Sequence, residues 1–298
     1  MKKAILAIIC LIFTFSLFSC DKPGDTSLDE SSADNSSVTS VSTASESSST
    51  DSNNQKLLLY KTTYINFGYT ETYDYNQWGD ISVMITESND GSILNTEFQY
   101  DDNKYLIKKV TTNSEGKTTY IKENVYDENN NIIKEKEQDK TNNRETIITY
   151  SYDDENRLIE VQRNGAKNIY TYDQDGSYTV TSDTSAGVNY YNKNGKLTES
   201  VLDKSRALYI YDENGNLLEE KGYNDGELTH FSVYTYDDFG KLLEKSVYQN
   251  DELVSKVIYE YDEHDNNIRI KMVNPLGIER TAQEMEYKLF PVTDKERE

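Results

Sequence analysis

The sequence predicts an all-β protein, an antiparallel meander of about nine hairpin repeats that forms an extended, twisted or curled sheet. Three observations carry this expectation. Tyrosines recur at Tyr75, Tyr100, Tyr126, Tyr152, Tyr172, Tyr191, Tyr211, Tyr236 and Tyr261, with spacings of 25, 26, 26, 20, 19, 20, 25 and 25 residues. Each is followed by Asp or Asn, and four residues after each comes a residue that, except at Lys104, tolerates a left-handed backbone. Finally, 25 tyrosines stand against 8 phenylalanines and 3 prolines, a balance suited to half-buried strands with uninterrupted ladders.

Within a repeat, the first element is a strand. In seven of the nine copies an aromatic lies two residues before the tyrosine (Tyr73, Phe98, Tyr150, Tyr170, Tyr209, Tyr234, Tyr259), and this period of two puts both rings on one face. A turn follows. Asp or Asn at its start bonds the backbone ahead, and Gly79, Asn130, Asn156, Gly176, Gly195, Gly215, Gly240 and Asp265 stand where a hairpin built on a type I turn needs positive φ. The return strand begins six residues after the tyrosine, at Ile81, Leu106, Ile132, Leu158, Tyr178, Leu197, Leu217 and Leu242, with a one-residue slip to Ile268 in the last copy. It ends at a second turn, as in Asn89-Asp90-Gly91, Glu115-Gly116, Asn164-Gly165 and Asn224-Asp225-Gly226. Each repeat is therefore two strands and two turns. At the ends, Leu57-Leu58-Leu59-Tyr60 and Met285-Glu286-Tyr287-Lys288-Leu289-Phe290 read as atypical capping strands that cover an open edge.

A tyrosine-aspartate pair, two variable residues, glycine, one residue and a leucine resemble the RHS/YD repeat, here from about Tyr73 to Tyr287. Asn274-Pro275-Leu276-Gly277-Ile278 is similar to the Asp-Pro-Leu-Gly turn that joins repeats in that family, with Asn in place of the Asp expected at a cleavage site. The resemblance implies a β-sheet repeat module, and saccharide contact is implied with it. The repeat region looks too short to close into a large enclosing shell, so an open array is expected.

Ahead of the repeats, Met1-Lys2-Lys3 and the apolar run from Ala4 to Phe18 read as a secretory signal, too short for the ~20 residues of a spanning helix. Leu17-Phe18-Ser19-Cys20 resembles a bacterial lipobox, which makes Cys20 the lipidation site and residues 1–19 the leader. Cys10 leaves with the leader, so the processed chain has no disulfide and no thiol ligand. Residues 20–55 carry the anchored cysteine and a Ser/Thr/Asp-rich tether, whose reach is roughly 30–35 Å as a flexible coil. Residues 56–298 form one repeat array. The expected location is the bacterial cell envelope, lipid-anchored and extracytoplasmic.

The net charge of −22 argues against nucleic acid as a partner and against electrostatic attraction to anionic lipid. Asp173-Gln174-Asp175-Gly176 and Asp212-Glu213-Asn214-Gly215 resemble fragments of a calcium loop but lack its other ligands, and turn chemistry accounts for them, so no metal and no cofactor are expected. With two histidines, His230 and His264, and no nucleophile elbow or phosphate loop, the chain reads as a non-enzyme with no catalytic residue. The remaining candidate is aromatic. Trp78, Tyr209, Tyr211, Tyr234 and Tyr236 are the expected ligand contacts, for a cell-surface saccharide or protein, and the competing reading is that these rings only hold the sheet together. The sequence thus favours a surface lipoprotein displaying a binding module, with a ligand-free spacer or shell-like repeat protein as the alternative.

Overall fold

Twenty antiparallel strands in one sheet are seen in a computed structural model that describes residues 55–292; the leader, Cys20 and the tether lie outside the described residues. The first ten are β1 (Gln55–Tyr64), β2 (Tyr69–Tyr75), β3 (Ile81–Ser88), β4 (Ile93–Tyr100), β5 (Leu106–Asn113), β6 (Thr118–Tyr126), β7 (Ile132–Asp139), β8 (Arg144–Tyr152), β9 (Leu158–Arg163) and β10 (Ala166–Tyr172). The rest are β11 (Tyr178–Ser182), β12 (Ser185–Tyr191), β13 (Leu197–Leu202), β14 (Ser205–Tyr211), β15 (Leu217–Asn224), β16 (Glu227–Tyr236), β17 (Leu242–Gln249), β18 (Glu252–Tyr261), β19 (Asn267–Val273) and β20 (Glu279–Pro291).

Every strand pairs with its predecessor and its successor, and β1 pairs with β20 from Gln55↔Pro291 to Tyr64↔Gln283. The all-β meander is as expected, but the extended sheet of about nine hairpins is not: the chain forms a closed barrel of twenty strands. The two terminal strands do not cap open edges. They are complementary edges that satisfy each other, and closure alone removes the unpaired backbone groups an array would expose. A short repeat region suffices because the wall is one strand thick. At ~4.8 Å per strand the perimeter is roughly 95 Å, wider than side chains from opposite walls can fill if the section is round.

A closed sheet crowds its concave face. The face that carries the tyrosine pairs holds the buried residues, including Tyr73, Tyr170, Val180, Leu242, Ile270, Thr62 and Thr96, with Ser246 and Val273 as exceptions, so this is the inner face. The outer face carries ion pairs between adjacent strands, such as Lys108–Glu123 at 3.0 Å, Lys167–Glu160 at 2.9 Å, Lys256–Glu244 at 2.9 Å and Arg269–Glu260 at 2.9 Å. A lipid-facing wall needs a continuous apolar band. This wall carries paired charges at mid-strand, which interrupt such a band.

The connections alternate between two rims. One rim holds the nine tyrosine-aspartate turns and the start of β1; the other holds ten turns, among them 65–68, 164–165 and 274–278. The wall is lower where the repeat shortens: β9 to β14 are 5–7 residues long against 8–9 for β3 to β8. Two residues fewer lower the rim by ~7 Å.

Candidate binding wall inside the barrel

The repeat tyrosine has a specific task. Its hydroxyl donates to the backbone carbonyl that begins the return strand of the preceding hairpin: Tyr100 to Ile81, Tyr126 to Leu106, Tyr211 to Leu197, Tyr236 to Leu217 and Tyr261 to Leu242, at 2.7–2.9 Å. Tyr152, Tyr172 and Tyr287 do the same, and Tyr75 donates to the Leu59 carbonyl within β1. Each ring therefore latches its hairpin to the one before it. Burial pushes the Tyr100, Tyr211 and Tyr287 hydroxyls up to about 12, so they stay neutral donors at physiological pH.

The aspartate completes the turn. Asp153 Oδ1 accepts the backbone N–H groups of Glu155 and Arg157, Asp237 those of Phe239 and Lys241, and Asp262 those of His264 and Asn266. The hydrogen bond from the Arg157 N–H holds Asp153 below the usual carboxylate range. All nine positions four residues after the tyrosine have positive φ, Lys104 included at 67°. The acids of the calcium-like stretches are used in the same way, Asp175 accepting from Ser177 and Asp212 from Asn216. Among the described residues no group of three His, Cys, Asp or Glu is placed to hold a metal ion. One expectation fails here. The last copy does not slip: Tyr261 pairs with Asn267, whose carbonyl accepts the Tyr287 hydroxyl, and Ile268 is the bulged residue. Asn267 fills the leucine site at a cost, because its buried Oδ1 has no partner.

Four of the expected contact residues converge. Tyr209 and Tyr211 on β14 and Tyr234 and Tyr236 on β16 all face inward, with β15 between them. Trp78 is elsewhere, in the β2–β3 turn on the tyrosine-aspartate rim, 38% exposed. The four tyrosines are not equivalent. Tyr211 and Tyr236 spend their hydroxyls on latches, whereas Tyr234 donates to Glu220 at 3.2 Å and Tyr209 makes no hydrogen bond among the described residues.

The same wall contains residues that the tyrosine pattern does not mark. Glu220 pairs with Tyr209, Lys245 pairs with Tyr234, and Tyr259 follows on β18. The Lys245 ammonium lies 5.1 Å from the centroid of the Tyr234 ring, and burial holds it below the usual lysine range. A signal for Glu220 and Lys245 exists in the sequence: in the longer repeats the residue nine after the tyrosine pairs with the residue two before it, as Glu220 does with Tyr209 and Lys245 with Tyr234. Using it requires the bulge and turn geometry to be known. A second inner cluster lies across β6 to β9, where Lys122 pairs with Glu135 at 3.2 Å and Arg163 with Glu137 at 3.6 Å.

Latched hairpins in a closed ring define a one-layer repeat shell. The chain belongs to the teneurin YD-shell family, whose model matches residues 37–274. No curated protein matches the sequence. Among solved structures, the chain is similar to the TcdB2-TccC3-Cdc42 complex (14% identity, 73% of this chain and 12% of that one, TM-score 0.29). It is also similar to TcdB2-TccC3 without its hypervariable C-terminal region (13%, 75% and 16%, TM-score 0.32). A porin-like protein from Bacteroides uniformis is similar over 80% of this chain and 98% of that one, at 12% identity and a TM-score of 0.34. The chain thus spans a small fraction of the two TcdB2-TccC3 chains.

Proposed function

We propose that this YD-shell barrel is a lipid-anchored, extracytoplasmic lipoprotein whose inner wall binds a saccharide. The observation that supports it best is the division of labour among the tyrosines. One row holds the shell together, and a second row, Tyr209, Tyr234 and Tyr259, lines the inner face half-buried, with Tyr209 and Tyr259 making no hydrogen bond among the described residues. Aromatic faces with polar groups at their margins suit sugar rings. The partners are then the membrane, through acyl chains on Cys20, and a cell-surface saccharide. The chain enters β1 at the tyrosine-aspartate rim, so the tether joins the barrel there.

The competing reading is a shell or spacer with no small ligand, and the latch favours it, since Tyr211 and Tyr236 have structural work to do. Titration of a neutral oligosaccharide panel into the full chain separates the two. Binding that falls tenfold or more in Tyr209→Ala with an unchanged melting temperature supports a lumenal site; absence of binding across the panel leaves the shell reading. For the anchor, Cys20→Ala should move the protein out of the detergent phase, because two or three acyl chains at ~0.8 kcal/mol per buried methylene give stable attachment. Unchanged partitioning would discard it.

A further inference from the structure

At the rim opposite the tyrosine-aspartate turns, large apolar residues are confined to two of the ten turns. Ile65 and Phe67 lie in the turn after β1, Leu276 and Ile278 in the turn before β20, and Met272 stands close to the end of β19; all five are 44–84% exposed. The two turns are neighbours. The Ile65 N–H donates to the Ala282 carbonyl of β20 at 2.9 Å, and the Asn66 side-chain amide reaches the Met272 sulfur at 3.3 Å. Turn chemistry does not call for these apolar side chains. Asn274 Oδ1 accepts the backbone N–H groups of Leu276 and Ile278, and the positive φ falls at Gly277, so that turn is shaped without the side chains at 276 and 278. Phe67 leans toward Tyr69, with ring centroids 6.4 Å apart, and is still 60% exposed. Exposed apolar side chains that adjoin one another and are bordered by polar ones mark a surface that meets another body.

We infer that this corner of the rim docks on the lipid bilayer, seating Phe67, Leu276 and Ile278 at the boundary between headgroups and acyl chains. This rests on the Cys20 anchor proposed above and adds which end of the barrel faces the membrane. Charge supports it first. The tyrosine-aspartate turns carry 17 acidic residues against 5 basic, the opposite turns 6 against 3, and the two apolar turns none, so an anionic leaflet repels the first rim and accepts this corner. A net charge of −22 also sets two copies of the chain against each other, which favours lipid over a second copy as the occupant. Chain length supports it next. The sequence between Cys20 and Gln55 reads as a coil with a reach of roughly 30–35 Å. β1 starts at Gln55, ends at the first apolar turn and covers at most ~34 Å at ~3.4 Å per residue. The coil thus matches the height of the wall, and the far rim can rest on the same surface that the acyl chains of Cys20 enter. Shallow burial of a few apolar side chains then adds a second membrane contact to the lipid anchor.

The test uses the lipidated full chain in phosphatidylcholine vesicles, with and without lipid brominated on its acyl chains, which quenches an indole that reaches them. Trp78, the one tryptophan, stands on the tyrosine-aspartate rim and serves as an internal control. In Phe67→Trp/Trp78→Phe the brominated lipid should lower the emission about twofold or more, whereas Trp78 of the native chain should be unaffected. Leu276→Trp/Trp78→Phe reports from the second turn and should behave in the same way. Adding Leu276→Asp and Ile278→Asp to the first reporter should restore its emission while the protein still floats with the vesicles. Absence of quenching at both reporters, equal quenching at the two rims, or quenching that survives the two aspartates overturns the docked corner, and continued flotation leaves the anchor standing. A reporter shielded only as protein concentration rises, and never quenched by brominated lipid, overturns it in favour of a second copy. A native protein that does not float with the vesicles overturns both readings.

Discussion

The two rims of the barrel are built from the same number of strand ends but by different rules. At the tyrosine-aspartate rim all nine turns share one geometry, a five-residue connection with an Asp or Asn at its start and positive φ at its fourth residue, and all but the one after Tyr172 have a register shift beside the tyrosine. At the other rim the turns range from the two-residue Asn164-Gly165 and Asp203-Lys204 to the four-residue 140–143 and the five-residue Asn274–Ile278. Their surfaces differ as well. Acidic residues crowd the first rim, at Asp101, Asp102, Asp127, Asp153, Asp154 and Asp262 among others, beside the exposed rings of Trp78 and Phe239, and the second exposes the aliphatic Ile65, Leu276 and Ile278 with Phe67 near the closing strands. The uniform rim is the one with a job in assembly, because each turn fixes where its tyrosine reaches the neighbouring hairpin. The variable rim only returns the chain, which is why repeats of 19–20 and 25–26 residues coexist in one ring.

The largest test of that contrast is to exchange turns. Replacing Asp212–Asn216 with a two-residue Asn-Gly turn removes the bulge and displaces Leu217, whose carbonyl is the Tyr236 latch site. A loss of ~3 kcal/mol or more is expected in denaturant melts, since a latch, the Asp212 hydrogen bonds and the local register fail together. The same replacement of Lys140–Asn143 keeps the Asp139↔Arg144 pair and should change stability by under ~1 kcal/mol. Equal losses would end the distinction between rims.

A smaller effect sharpens it within one wall. Tyr236→Phe deletes only a latch hydroxyl and leaves the Leu217 carbonyl short of a donor, which should cost ~1–2 kcal/mol, whereas Tyr209→Phe should cost under ~0.5 kcal/mol. The reverse order would place the structural work in the second row.

Alkaline stability gives the most distributed signal. The folded state raises the hydroxyls of Tyr100, Tyr211 and Tyr287 from the ordinary ~10 to about 12, chiefly by burial. Groups raised in this way favour folding fully below pH ~10 and lose that contribution as pH rises through about 12. The melting temperature should be flat up to pH ~10 and fall from there to pH ~12, with a shallower fall in Tyr211→Phe. A fall that begins below pH 9 would need another titrating group.

Much of this was legible in the residues. Spacing and turn chemistry locate the strands and the positive φ of eight of the nine turns, whereas at Lys104, the one copy whose residue type argues against it, the left-handed backbone is seen only in the structure. Closure was not legible, because β1 and β20 lack the repeat signature and nothing local tells an edge that meets solvent from one that meets its complement. The inner wall was half legible: the tyrosine pattern marks rings, but Glu220 and Lys245 join them only through cross-strand register, and Trp78, singled out for its rarity, sits on the rim.

Closure is the central claim, and a cross-link reads it most directly. Lys61 and Glu286 are directly paired on the outer face of β1 and β20, with an ion pair at 3.4 Å, and the only cysteines of the chain are Cys10 and Cys20, both before the barrel. Paired positions lie within the ~4.4–6.8 Å Cα separation that a disulfide spans. Lys61→Cys/Glu286→Cys in a chain whose Cys20 is lipidated or replaced should therefore oxidise to an intramolecular disulfide in the monomer with a melting temperature at or above that of the native protein. A double variant that stays reduced, or that cross-links only between molecules, would contradict the closed ring and restore the open array.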